Sequence, residues 1–186
     1  MDAKDIISEQ VVTGWLLMLS WFIFLPAGIL LTGRVIWKWP AAQTQTYLIW
    51  ERGLVMAAAL SLALGLVLLQ RLLEAAGDTL FPPLGMAFIL ISTALIVTAE
   101  TLYLSQQQWV YATVVAFVVL NFIGQALFGL AILRTGFLPG WVGWLTIVWN
   151  LAWLIILPIA RSDNMYYPWL HYIVPLIIGI VLLGKG

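Results

Sequence analysis

The chain has no cysteine and only one histidine in 186 residues. Structural zinc sites, iron–sulfur clusters, thiolate chemistry and a two-histidine haem site need ligands that are missing here. Charge is equally scarce. Only 9% of residues are charged, and eight basic residues balance eight acidic ones. A soluble domain carries about 25% charged residues, so this composition does not describe one. It also leaves no basic excess for binding nucleic acid. A Walker loop, a GxGxxG turn, an HExxH pair and a nucleophile elbow are all absent, as is a paired-aspartate motif for phosphatidyl transfer. What the chain does have is apolar: 63% of residues are hydrophobic, and eleven are tryptophan.

A helix crosses the hydrocarbon core with about 20 mainly apolar residues. Six stretches meet or approach that length: residues 12–31, 49–69, 83–103, 109–133, 139–159 and 169–183. The breaks between them are rich in Gly, Pro and polar residues. Lipid leaves backbone N–H and C=O groups without partners, so such spans must be helices or closed barrels. Barrel strands would alternate polar and apolar residues, and these runs do not. The expectation is an all-α polytopic bundle of six transmembrane helices, forming a single domain over residues 1–186. The longest connection, residues 32–48, leaves no room for a soluble domain. The first ten residues carry Asp2, Asp5 and Glu9 against Lys4, the wrong balance for a secretory leader. They are expected to form a short polar or interfacial helix ahead of a retained first span.

Six crossings define two faces. Face A takes the termini and the second and fourth loops; face B takes the other three. Lys4, Arg71, Arg134 and Lys185 fall at face A, and Arg34, Lys38 and Arg161 at face B with Arg52 at its edge. This near-balance under the positive-inside rule leans towards cytoplasmic termini.

Aromatic residues are less evenly divided. Trp37, Trp39, Trp50, Trp109 and Trp169 map to face B, as do all six tyrosines; only Trp15, Trp141 and Trp144 map to face A. An interfacial anchoring belt is the simple reading of such rings. The imbalance suggests a second one, an aromatic-lined vestibule on face B for a ring-shaped, lipidic or cationic ligand. Ionisable residues point the same way. Glu51, Arg52, Glu100 and His171 all map to the face-B half, and charges within spans are costly enough to be functional candidates. Their plain reading is a set of ion pairs joining Glu51 or Glu100 to Arg52 or Arg161; the sharper one is a polar pocket. Deeper lie the amides Asn121 and Gln125, one turn apart on the fourth span, and Asn150 near the middle of the fifth. Amides inside bundles usually tie helices together. With Thr93, Glu100 and His171 they are also placed to line one polar path from face B inward.

Two further patterns concern packing. Gly53, Ala57, Ser61 and Gly65 recur every fourth residue on the second span, a ridge that lets another helix of the bundle, or of a second copy, approach closely. Pro26 and Pro175 interrupt the first and last spans, and each frees a backbone carbonyl that a ligand can use.

The stretch Leu133-Arg134-Thr135-Gly136-Phe137-Leu138-Pro139-Gly140-Trp141-Val142-Gly143-Trp144, with Leu130 before it, resembles a pattern in small bacterial six-helix integral membrane proteins of uncharacterised function. There a basic residue ends one helix, and a Leu-Pro-x-Trp-x-Gly-Trp-like turn opens the next. Gly140 departs from that pattern, since Arg or Lys is common at its position. The resemblance implies six helices and a prokaryotic inner membrane, and it supplies no catalytic residues.

The leading expectation is therefore a membrane protein that binds, or also moves, a lipidic or aromatic small molecule. Glu51, Arg52, Glu100, His171, Asn121, Gln125 and Asn150 would be its polar contacts, with Trp50, Trp109 and Trp169 as walls. Membrane lipids are implied as partners; no nucleic acid, metal or cofactor is. The alternative is a non-catalytic accessory subunit, forming a homo-oligomer or joining a larger membrane complex. An intramembrane enzyme comes third. Its acid–base chemistry would rest on Glu100 and His171, and its only metal trio would be Glu51, Glu100 and His171.

Overall fold

The computed structural model describes residues 3–106, 110–160 and 167–185, with side chains described from residue 9 onward except at 41–44. Six helices make up these residues: α1 (Ala3–Val35), α2 (Ala41–Ala75), α3 (Phe81–Gln106), α4 (Tyr111–Thr135), α5 (Gly140–Ala160) and α6 (Leu170–Leu183). There is no strand among the described residues. Five of the six, α1 to α5, are long and apolar enough to cross a membrane.

Helix ends follow the breakers rather than the limits of the apolar runs. The polar N-terminal segment is continuous with α1 instead of forming a helix of its own. α2 starts directly after Pro40 and stops ahead of Gly77, which turns the chain at φ 109°. It is 35 residues long because nothing between those two residues stops a helix. Asp78 caps α3 by accepting the backbone N–H groups of Leu80 and Phe81 at 3.0 and 3.1 Å. Gly136 ends α4 in the left-handed conformation, φ 62°.

Neighbours in sequence are neighbours in space. α1 packs between α2 and α6, α3 joins α2 to α4, and α5 lies on α4. Reciprocal glycines set three of these interfaces. A Cβ on Gly85 would stand 2.9 Å from the Gly124 carbonyl oxygen; Gly129 and Gly143 face each other likewise, as do Gly14 and Gly179. Such contact brings backbones together and fixes helix register. The α2 ridge is used only in part. Ser61 donates to the Leu16 carbonyl at 3.1 Å and Gly65 abuts Leu17, so α1 covers that end. Gly53 meets nothing within 4 Å.

The sixth helix keeps the expected bounds to within one residue but is shorter than the other five. It has 14 residues, about 21 Å at 1.5 Å per residue, against a hydrocarbon core of about 30 Å. It also begins halfway along its neighbours. Trp149, at the middle of α5, donates its indole N–H to the Leu170 carbonyl at 3.0 Å. Tyr172 stacks on Phe24, near the middle of α1, with ring centroids 4.8 Å apart. His171 and Tyr172 therefore sit at mid-height and not near face B. The face-B halves of α1 and α5 extend beyond the point where α6 starts.

Candidate functional site

Two polar clusters occupy the interior, one above the other along the helix axes. The upper one, towards face B, is ionic. Arg34 from the last turn of α1 grips Glu51 of α2 with two bonds, Nε–H to Oε2 at 3.1 Å and Nη2–H to Oε1 at 2.7 Å. Arg52 Nη2 lies 3.3 Å from the same Oε1, and Arg52 Nη1 donates to Glu100 Oε2 at 2.9 Å. Its guanidinium also lies 4.4 Å from the centroid of the Tyr103 ring. The result is an alternating chain, Arg34–Glu51–Arg52–Glu100, that sums to zero charge and joins three helices. Arg52 is 1% exposed and Glu100 fully buried. Burial at that level is tolerable because each charge has an opposite neighbour.

The lower cluster is neutral. Asn121 donates to Ser92 Oγ at 3.3 Å, and Ser92 in turn donates to the Ile89 carbonyl at 2.8 Å. Gln125 Nε2 donates to both Asn121 Oδ1 at 2.7 Å and the His171 carbonyl at 2.9 Å. His171 Nδ1 lies 3.1 Å from Asn121 Oδ1. The imidazole stacks on Phe122, centroids 4.4 Å apart, and is tilted against Phe117 at 4.9 Å. Asn150 is buried and donates to the Thr146 carbonyl at 2.7 Å. The α4–α5 register is set where Gly129 meets Gly143 and Thr146, and it puts Asn150 at the level of Gln125.

The single polar path expected from the sequence is thus divided. α3 explains the division. Glu100 and Ser92 are eight residues apart, which rotates them about 80° and separates them by about 12 Å along the axis. Glu100 turns towards α2, and Ser92 towards α4. Glu51, Arg52 and Glu100 come together with each other but not with His171. The hypothetical metal trio is therefore split, and among the described residues no group of three His, Asp or Glu could hold a metal ion.

The walls need correction. Trp50 is 67% exposed and faces out of the bundle. Trp169, 41% exposed, stands edge-on to Trp153 with centroids 6.4 Å apart, close to the start of α6 and not at a face-B rim. Trp109 and Arg161 lie outside the described residues. The residues missed as contacts are Arg34, Ser92, Phe117, Phe122 and Trp149. Arg34 carried a signal, a cation at the end of one span close in sequence to an acidic residue opening the next. The apolar rings carried none. The carbonyl that Pro175 frees, that of His171, is not open to a ligand, because Gln125 already takes it.

The recognisable turn after α4 lies at the other end. Arg134 Nε stands 3.6 Å from Asp78 Oδ2 and its guanidinium 5.0 Å from the Phe81 ring centroid, while Lys185 donates to the Phe137 carbonyl. These contacts tie helix ends together at face A, far from both clusters. No protein-family model, curated protein or solved structure matches the chain.

Proposed function

We propose that this chain is a multi-pass protein of a prokaryotic inner membrane, with cytoplasmic termini, that binds a lipidic or aromatic small molecule at mid-height in its interior. One observation carries the reading: a neutral cluster of amides and an imidazole is buried at mid-height among aromatic rings, where α6 begins halfway through the bundle. Helices that start inside a bundle expose side chains and backbone where transported or bound molecules are held in other membrane proteins. Polar groups at such depth are functional candidates. The ionic chain serves the site by fixing α1, α2 and α3 above it, not by contacting the ligand. Transport is the extended form of the same proposal.

Native mass spectrometry of the protein extracted with its lipids tests this reading. A stoichiometric small molecule is expected on the unaltered chain, and His171→Ala and Gln125→Ala should lose it while remaining monodisperse. A bare chain, or a ligand retained equally by both variants, would count against the site. A stoichiometric protein partner without a small molecule would instead favour the accessory-subunit reading. α5 gives that reading some support: it makes few contacts with α6 and presents Trp141, Trp144, Val148, Ile155 and Ile159 outward.

A further inference from the structure

One backbone carbonyl fixes the polarity of the whole mid-height cluster. Pro175 has no N–H to offer the His171 carbonyl four residues earlier. Gln125 supplies that bond at 2.9 Å. A carbonyl only accepts, so the Gln125 atom facing it is nitrogen. The same nitrogen lies 2.7 Å from an Asn121 side-chain atom, which must then be the amide oxygen. That oxygen lies 3.1 Å from His171 Nδ1, so Nδ1 carries the imidazole proton and Nε2 keeps its lone pair. Asn150 is oriented by the same logic, with its nitrogen on the Thr146 carbonyl and its oxygen left over.

Three atoms of the cluster remain. His171 Nε2, Gln125 Oε1 and Asn150 Oδ1 are buried atoms with no hydrogen-bond partner among the described residues. All three are acceptors. Buried polar atoms are rarely left unpaired, and each such atom asks for an explanation. An anion would face the lone pairs of all three. A cation would find no free counter-charge, because the charges of the ionic chain are committed to one another. A neutral hydroxyl donor pairs with one of the three without bringing a charge, and the rings of Phe117, Phe122, Trp149 and Trp153 provide an apolar, aromatic setting for the body that carries it.

We propose that this cluster takes the hydroxyl group of a neutral lipidic or phenolic alcohol, with His171 Nε2 as its acceptor. The proposal rests on the small-molecule reading above and narrows it to a hydroxyl donor. It predicts discrimination by a single proton, since a site built to pair with a hydroxyl leaves its own polar atoms unpaired when an analogue lacks one.

The single histidine makes the test direct, because labelled histidine reports on His171 alone. The full chain in lipid nanodiscs is titrated with para-octylphenol and, separately, with its methyl ether, para-octylanisole; empty nanodiscs correct for partitioning. Before titration, nitrogen NMR should show a protonated Nδ1 and a bare Nε2. The phenol should move the Nε2 resonance and bind about tenfold or more tighter than the ether. In His171→Phe, which keeps a ring between Phe117 and Phe122, that preference should vanish. Should this variant fail to fold, the resonance of the unaltered chain still decides. A protonated Nε2 overturns the proposal. So does an Nε2 hydrogen-bonded to exchanging water that the phenol does not displace. Equal binding of phenol and ether without movement of Nε2 overturns the hydroxyl assignment and leaves the small-molecule reading standing. If neither probe binds and no molecule is retained in native mass spectrometry, both fall.

Discussion

Changing Glu100 to Gln keeps the shape and the hydrogen-bond acceptor opposite Arg52 while removing one charge from a buried chain of four. The remaining Arg34, Glu51 and Arg52 then sum to plus one, with Arg52 only 1% exposed. Breaking a buried pair by removing one partner costs about 3–5 kcal/mol. At about 2–4 °C per kcal/mol for a chain of this size, the thermal midpoint should fall by about 6–20 °C. Arg52→Met should be comparably damaging, because it strands Glu100. The double variant Arg52→Met with Glu100→Leu removes both charges, restores neutrality and leaves Arg34–Glu51 as a complete pair. Replacing a buried pair by apolar residues of similar volume is often neutral or stabilising. Its midpoint should therefore lie well above either single variant and near that of the unaltered chain. Heating aliquots in detergent and measuring the surviving monodisperse fraction by size-exclusion chromatography gives the four midpoints. If the double variant melts no higher than the single variants, the charges are not coupled, and the account of the ionic chain is wrong.

Four further outcomes follow from packing, capping and backbone hydrogen bonding. Gly124→Ala places a Cβ 3.0 Å from the Gly85 carbonyl and from Ile89, and should cost about 1–3 kcal/mol. Gly53→Ala, with open space at that position, should instead gain about 0.5–1 kcal/mol from helix propensity; parallel melts compare the two, and equal effects would refute the α3–α4 contact. Pro175→Ala returns an N–H to the His171 carbonyl, so Gln125 loses its exclusive hold. The Nδ1–H tautomer should then become mixed in the nitrogen spectrum, and an unchanged spectrum would show that the carbonyl does not set the polarity. Asp78→Ala removes the acceptor for two N–H groups at the start of α3 and should cost about 1 kcal/mol, read as a lower unfolding midpoint.

The helices were legible because apolar runs and breakers are local. Pro40, Gly77 and Gly136 end elements by their own backbone properties, whereas Pro26 does not, and α1 runs through it to Val35. Composition along one chain cannot show axial offset, so α6 read as a sixth span although it begins level with Trp149. That offset moved His171 and Tyr172 from the face-B boundary to mid-height. The polar inventory was legible residue by residue, since charges and amides in apolar runs stand out. Its division into two clusters was not, because it depends on the rotation of α3 and on glycine contacts such as Gly85 with Gly124. Those pair residues about forty positions apart, and no periodicity within either helix reveals the partner.

The two clusters differ in what they have left over, and this separates framework from site. In the upper one every carboxylate faces a guanidinium, so its charges are balanced within the chain. In the lower one Gln125 spends both its N–H groups, on Asn121 and the His171 carbonyl, Asn121 donates to Ser92 and Asn150 to the Thr146 carbonyl, while three acceptor atoms have no partner among the described residues. Stability and binding should therefore respond to different residues. Changes at Arg52 or Glu100 should lower the unfolding midpoint and weaken ligand binding only as far as they unfold the chain. His171→Phe should do the reverse, because the aromatic stack on Phe122 survives while the acceptor is lost. A variant series in which binding tracked the unfolding midpoint at both clusters would remove the physical ground for treating the lower one as a site.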